Sequence, residues 1–229
     1  MSLKPAAELA KSARKPYPGE SADYGVARTE LLTKEIELRR LNESVADMRR
    51  KLPLGPVPKD YAFLDRDERQ IGLADMFGDK NTLVTYFWMF GPQRARPCPM
   101  CTSFIGSVDT PLRDLKQKIA FAVLGRSPVS RQLAFAIERG WRNIDFYQCV
   151  GDDFPRDYRG LAPNGDEWPA LIVWKKYGDT VRHFWAGELG GTQDPNQDPR
   201  GAPEIAPLWT MLDLTPAGRD PKWYPKLDY

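Results

Sequence analysis

The amino-acid sequence predicts an α/β fold, a central mixed sheet flanked by helices, preceded by a long helical extension. Three observations carry this expectation. The near-continuous apolar run from Leu83 to Phe90 is what a parallel strand covered on both faces requires. Cys98-Pro99-Met100-Cys101 follows it and leads into apolar residues at three- and four-residue steps, so a strand ends in a Cys-x-x-Cys at the mouth of a helix. Strand and helix patterns then alternate to about residue 150 and give way to a hairpin and a closing helix.

Residues 1–25, with Pro5, Pro16, Pro18 and Gly19, read as a mobile or loosely docked arm. The second segment, residues 26–56, is a long helix followed by a linker. Leu31, Leu38, Val45 and Leu52 repeat every seven residues, Leu41 and Met48 fill the intervening positions, and Lys34 breaks that second series. Pro53 stops the helix. So short a heptad series first suggests a helix strapped across its own domain, and second a homodimer contact. The basic clusters Arg39-Arg40 and Arg49-Arg50-Lys51 are interleaved with Glu35, Glu37, Glu43 and Asp47, the pattern of a solvated face rather than a nucleic-acid patch.

Residues 57–214 form the expected domain. Tyr61 to Leu64 is a short strand, Asp65 to Arg69 its turn, and Leu73 to Gly78 one helical turn closed by glycine. The central strand runs from Thr82 to Phe90. Cys101, Phe104, Ile105, Val108, Leu112, Leu115 and Ile119 line one side of the following helix, and Pro111 either kinks it or opens a second helix capped by Asp109 or Thr110. The segment from Ile119 to Leu124 is the next strand. Ser127-Pro128 is an N-cap and first-turn pair for a helix that Gly140 closes. Ile144 to Val150 is a further strand, and residues 151–167 are irregular. Ala170 to Trp174 and Val181 to Trp185 form a hairpin around Tyr177-Gly178-Asp179-Thr180. A Gly/Pro/Asp-rich loop spans residues 187–203, a helix carries Ile205, Leu208, Trp209 and Leu212, and residues 215–229 are a tail.

That order, a βαβ half joined to a ββα half, is the thioredoxin arrangement with one added strand and the N-terminal helix extension. Thioredoxin-like proteins place a cis-proline just before the first hairpin strand, facing the dithiol. Pro169 opens that strand here, so Pro169 is expected in cis and Trp168 near the sulfurs.

Bulk properties exclude several functions. With 33 basic and 31 acidic residues the formal charge is +2, which gives no field for nucleic acid or an anionic membrane. The stretch Met1–Glu20 has no secretory apolar core, and no run reaches the roughly 18 apolar residues of a membrane span, so a cytoplasmic protein is expected. Three cysteines do not make a structural disulfide framework. A zinc site would need two ligands beyond the Cys-x-x-Cys. The other Cys and His, Cys149 and His183, form no second pair, so neither metal nor cofactor is expected. Cys149 reads as a small buried hydrophobe on a strand, and His183 as structural.

A thiol does exchange chemistry only as its thiolate. Cys98 at a helix N-cap, Pro99 at the first helical position and the nearby Arg94 and Arg96 all favour the anion, while Cys101, one turn inside, is suited to resolve a mixed disulfide. Trp168 and Pro169 would present backbone to a substrate. Arg126, after a strand end on the same side of the sheet, would contact an anionic substrate or form a salt bridge. A peroxiredoxin-type peroxidase is disfavoured, since Ala95 stands where those enzymes carry the Thr three residues before their cysteine.

The sequence resembles the DUF899 family, thioredoxin-like proteins of bacteria. The resemblance rests on Leu31-Leu32-Thr33-Lys34-Glu35, Val57-Pro58-Lys59-Asp60-Tyr61-Ala62-Phe63, Phe90-Gly91-Pro92 leading to Cys98-Pro99-Met100-Cys101, Gly140-Trp141-Arg142, Leu212 to Arg219 and Trp223-Tyr224-Pro225. It implies a thioredoxin-like site at Cys98 and Cys101. The expected activity is thiol–disulfide exchange with a disulfide-containing protein or small thiol. The alternative is a binding or assembly module whose dithiol is regulatory.

Overall fold

The computed structural model describes residues 3–189, 204–220 and 222–228. Most of the expected 187–203 loop therefore lies outside the described residues. Contacts divide the chain into two compact units, Met1–Pro53 and Leu54–Tyr229.

The first unit holds two helices, α1 (Ala6–Ala13) and α2 (Ala22–Arg50). The stretch expected to be an arm thus carries a helix. Its Ala-rich sequence has high intrinsic propensity, and a register drawn only from large apolar residues passes over it. α2 starts at Ala22, four residues before the expected point, because the Ser21 hydroxyl caps it by accepting the Tyr24 N–H. α1 packs on α2, and Arg40 of α2 donates to the Lys4 carbonyl at 2.7 Å.

The second unit is built on one seven-stranded sheet, β1 (Ala62–Leu64), β2 (Gln70–Gly72), β3 (Thr82–Phe87), β4 (Ala120–Gly125), β5 (Asp145–Cys149), β6 (Ala170–Tyr177) and β7 (Thr180–Gly187), in the order β2-β1-β5-β4-β3-β6-β7. β3, β4 and β5 pair in parallel, and the β6–β7 hairpin joins β3 antiparallel. The helices are α3 (Pro99–Asp109), α4 (Leu112–Leu115), α5 (Val129–Arg139), α6 (Asp153–Asp157) and α7 (Pro207–Asp213), with a 3-10 turn at Leu73–Phe77. This is the thioredoxin-like arrangement, with β5, β1 and β2 added beside β4.

Strand alternation sorts the apolar residues into two cores. Phe63, Leu83, Phe87, Leu124, Ile172 and Trp174 pack on one face with Phe77 and Phe154. Tyr86, Trp88, Val123 and Leu171 pack on the other with Cys101, Ile105 and Phe135 from α3 and α5. The dithiol helix thus covers the second face.

Several local expectations are revised. β2 was not expected. It forms because the Asp65 carboxylate accepts the Asp67 and Arg69 N–H groups (2.9 and 3.0 Å) and closes a hairpin that polar Gln70 and Gly72 do not advertise. Pro111 is the N-cap of a separate helix, α4. Asp109 instead accepts the Arg142 and Asn143 N–H groups. The N-cap of α5 is Pro128, not Ser127. Ser127 is fully buried and donates its N–H to the Phe90 carbonyl at 3.1 Å, tying this turn to the end of the central strand. Gly140 does close α5, in the left-handed region at φ 72°.

Candidate active site

The dithiol lies where β3 runs out. The Trp88 N–H still bonds to the Leu124 carbonyl (2.7 Å), after which the chain leaves the sheet and returns so that the Cys98 N–H meets the Met89 carbonyl (3.1 Å). Cys98 is the N-cap of α3, with extended dihedrals (φ −61°, ψ 126°), and Pro99 occupies the first turn. The Cys98 carbonyl accepts both the Thr102 N–H (3.0 Å) and the Thr102 hydroxyl (2.9 Å), which fixes the cap. Both thiols are free. Cys98 is half-buried and Cys101 is buried.

The two sulfurs differ in chemistry. The Cys98 thiol is pulled down to about 6, first by the hydrogen bond it receives from Cys101. Burial opposes this, and the Cys101 and Met100 N–H groups and the Arg94 charge add to it. Those two N–H groups face the sulfur without closing a capping bond of full geometry, as expected for a soft, large acceptor at a helix N-terminus. Burial pushes the Cys101 thiol well above the ordinary range, and donating to Cys98 pushes it the same way. Cys101 also receives the Tyr86 hydroxyl. Tyr86 is 3% exposed, and its ring lies 4.6 Å from that of Phe104.

The loop from Gly91 to Pro97 is held from three sides. Buried Glu167 accepts the Gly91 N–H (2.9 Å) and Arg94 Nε (3.0 Å). Arg131 donates to the Gly91, Arg94 and Ala95 carbonyls, and its guanidinium lies 4.3 Å above the Phe90 ring. Arg96 pairs with Glu138 at 2.8 Å. A Cβ at Gly91 would collide with the Glu167 carboxylate, so only glycine admits that contact.

Arg126 is ion-paired in the structure. Its guanidinium bonds to Asp152 (2.8 Å) and Glu167 (3.3 Å) and is 19% exposed. It supports Glu167, which in turn positions Arg94 beside Cys98. Ala170 pairs with Phe87, so Pro169 lies level with Trp88, close to where the chain leaves the sheet. Alternation carried back from Leu171 puts Pro169 on the α3 face and Trp168 on the opposite one. Trp168 is 52% exposed. It lines, with Pro169, Tyr158 and His183, a cavity of about 740 Å³ whose described lining includes neither cysteine.

Cys149, the last residue of β5 and opposite Phe63 of β1, is buried, and burial holds its thiol above the ordinary range. The His183 ring stands edge-on to Trp174 at 5.6 Å. Among the described residues no group of three or more His, Cys, Asp or Glu side chains is placed to hold a metal ion. No described helix is long and apolar enough to cross a membrane. Sequence reasoning missed Tyr86, Glu167 and Arg131. Tyr86 looks like any aromatic in an apolar strand. Glu167 carried the only usable signal, an acid directly before the Trp168-Pro169 pair.

Fold and site together define a thioredoxin-like protein with a Cys-x-x-Cys at the N-terminus of its first sheet-covering helix. The chain belongs to the family described as bacterial protein of unknown function, DUF899, whose model matches residues 14–229. None of the curated proteins matches it. Among solved structures it is similar to a PrxQ mutant of Xylella fastidiosa (15% identity, 59% of this chain and 84% of that one, TM-score 0.45). It is also similar to the exposed lipoprotein thioredoxin Etrx1 of Streptococcus pneumoniae (12%, 68% and 100%, 0.41). An uncharacterized conserved protein from Geobacillus kaustophilus is a third (14%, 63% and 73%, 0.43). At these TM-scores the likenesses carry nothing about activity.

Proposed function

We propose that the protein is a thiol–disulfide oxidoreductase acting on a disulfide-containing protein or a small disulfide. The observation that carries this reading is the asymmetry of the two thiols, one poised as a thiolate at the helix N-terminus and the other protonated and buried behind it. The Cys98 thiolate attacks one sulfur of the substrate disulfide, forms a Cys98–substrate disulfide and releases the other substrate sulfur as a thiolate. Cys101 then loses its proton to solvent and attacks the Cys98 sulfur. A Cys98–Cys101 disulfide forms, the second substrate thiolate leaves, and the substrate has gained the two electrons the dithiol has lost. An external thiol or dithiol restores the reduced form, and the reverse sequence would oxidise a substrate.

Pro169 and the adjoining strand end are the proposed docking backbone, and Trp168 flanks them. Arg94, held by Glu167, stabilises the attacking anion. A reducing cytoplasm is the compartment that suits such a reductant. Under single turnover, one equivalent of pre-reduced protein should consume one equivalent of oxidised glutathione or of an insulin disulfide, releasing two thiols. The Cys98→Ser variant should consume none. Equal consumption by the two proteins would remove the assignment.

A further inference from the structure

We infer that α2 is a self-association element and that its apolar stripe takes the same stripe of a second copy, running antiparallel. Leu38, Leu41 and Met48 lie on one side of α2 and are 58, 59 and 66% exposed, and Leu52, just past the C-cap Lys51, is 43% exposed. Val45 sits among them, and α2 has no buried residue over its 29 positions. A stripe of this spacing is the seam of a two-stranded coiled coil. Arg40, which bonds to the segment just before α1, lies about 100° round the helix from Leu41, outside the stripe.

Charge chooses both the occupant and its direction. From Ala22 to Glu37 the helix carries four acids, Asp23, Glu30, Glu35 and Glu37, against Arg28 and Lys34. From Leu38 to Arg50 it carries four bases against Glu43 and Asp47, and the C-cap Lys51 adds a fifth. A helix acidic at its start and basic at its end complements itself only head to tail. In the antiparallel register that sets Leu38 against the partner's Met48, Leu41 meets the partner's Val45. Glu35 then flanks the partner's Arg49, and Glu37 flanks the partner's Lys51. Lys34 falls at the end of the seam beside the partner's Leu52, where its ammonium reaches water. A parallel pairing would instead bring Glu30 against the partner's Glu35. The stripe is on the order of 500 Å² per copy, so a pair buries about 1,000 Å², enough for a specific but concentration-dependent dimer.

Sedimentation velocity of the full chain from about 1 to about 100 µM tests this. The expected result is a rise from the 26.1 kDa monomer to twice that mass. It should be abolished by Leu38→Glu with Leu41→Glu at unchanged far-UV circular dichroism. Glu37→Lys should weaken the dimer about tenfold through two symmetry-related pairs, and adding Lys51→Glu should restore it. A chain that stays monomeric throughout, or a dimer indifferent to the two Leu→Glu changes, overturns the inference. Tightening by Glu37→Lys overturns the antiparallel pairing. These charge changes lie on the solvated surface, so they keep the test decisive if the Leu→Glu protein fails to fold.

Discussion

Replacing Cys101 by Ala removes the largest single influence on the Cys98 thiol, the hydrogen bond donated by the second cysteine. In the wild type the Cys98 thiol titrates at about 6, so about nine-tenths of it is thiolate at pH 7, against about 3% for an ordinary cysteine near 8.5. The rate advantage is smaller than that ratio. Intrinsic nucleophilicity falls as the thiol becomes more acidic, by about tenfold over this interval, leaving roughly a threefold gain at pH 7. The midpoint of the pH–rate curve is therefore the diagnostic quantity, not the rate. A thiol is a weak donor, and a bond to an anion worth about 1.4 kcal/mol corresponds to one pH unit. Cys101→Ala should accordingly move the midpoint of iodoacetamide alkylation at Cys98 up from about 6 to about 7. The Met100 and Cys101 N–H groups and Arg94 still hold it below an ordinary cysteine. Peptide-resolved alkylation between pH 4 and 10 measures this. A wild-type midpoint at 8 or above, or one that Cys101→Ala leaves in place, would refute the electrostatic argument.

Glu167→Gln should move the same midpoint down, because Arg94 loses its competing carboxylate. It should also lower stability by about 2–4 kcal/mol in urea unfolding, since Arg126 and Arg94 lose a buried partner. In Tyr86→Phe, Cys101 loses the hydroxyl that favours its anion. First attack by Cys98 should be unchanged while release of the mixed disulfide slows about tenfold, read by rapid-quench mass analysis. For stability, Cys98 is an acid whose folded value is depressed. The reduced protein should therefore gain thermal stability over Cys98→Ala as pH rises from about 6 towards the unfolded value near 8.5. Below pH 6 the difference should be flat, and a difference that shrinks with rising pH contradicts the sign.

Much of the sheet was legible because its signals are local. The apolar runs of β3 and β4 and the Gly178 turn of the hairpin each place a strand without reference to the rest of the chain. Cys98, Pro99 and Cys101 were legible for the same reason, since N-cap, first-turn proline and a one-turn spacing are read along the sequence. What escaped depends on distant partners. Glu167 matters because it meets Gly91, which stands 76 positions away. Arg131 reaches back across the α5 turn to three carbonyls, and Tyr86 acquires a role only once α3 lays Cys101 over it. Arg126 was legible as a charge at a strand end, but Asp152 and Glu167 decide what that charge does.

In the proposed exchange Cys98 attacks and Cys101 resolves. Exposing Cys101→Ser to a peptide disulfide and mapping the product by mass spectrometry tests it most directly. A stable adduct of one peptide half on Cys98, released by added thiol, is expected, whereas the wild type passes on to an internal Cys98–Cys101 disulfide. An adduct on Cys149, or none at Cys98, would contradict it.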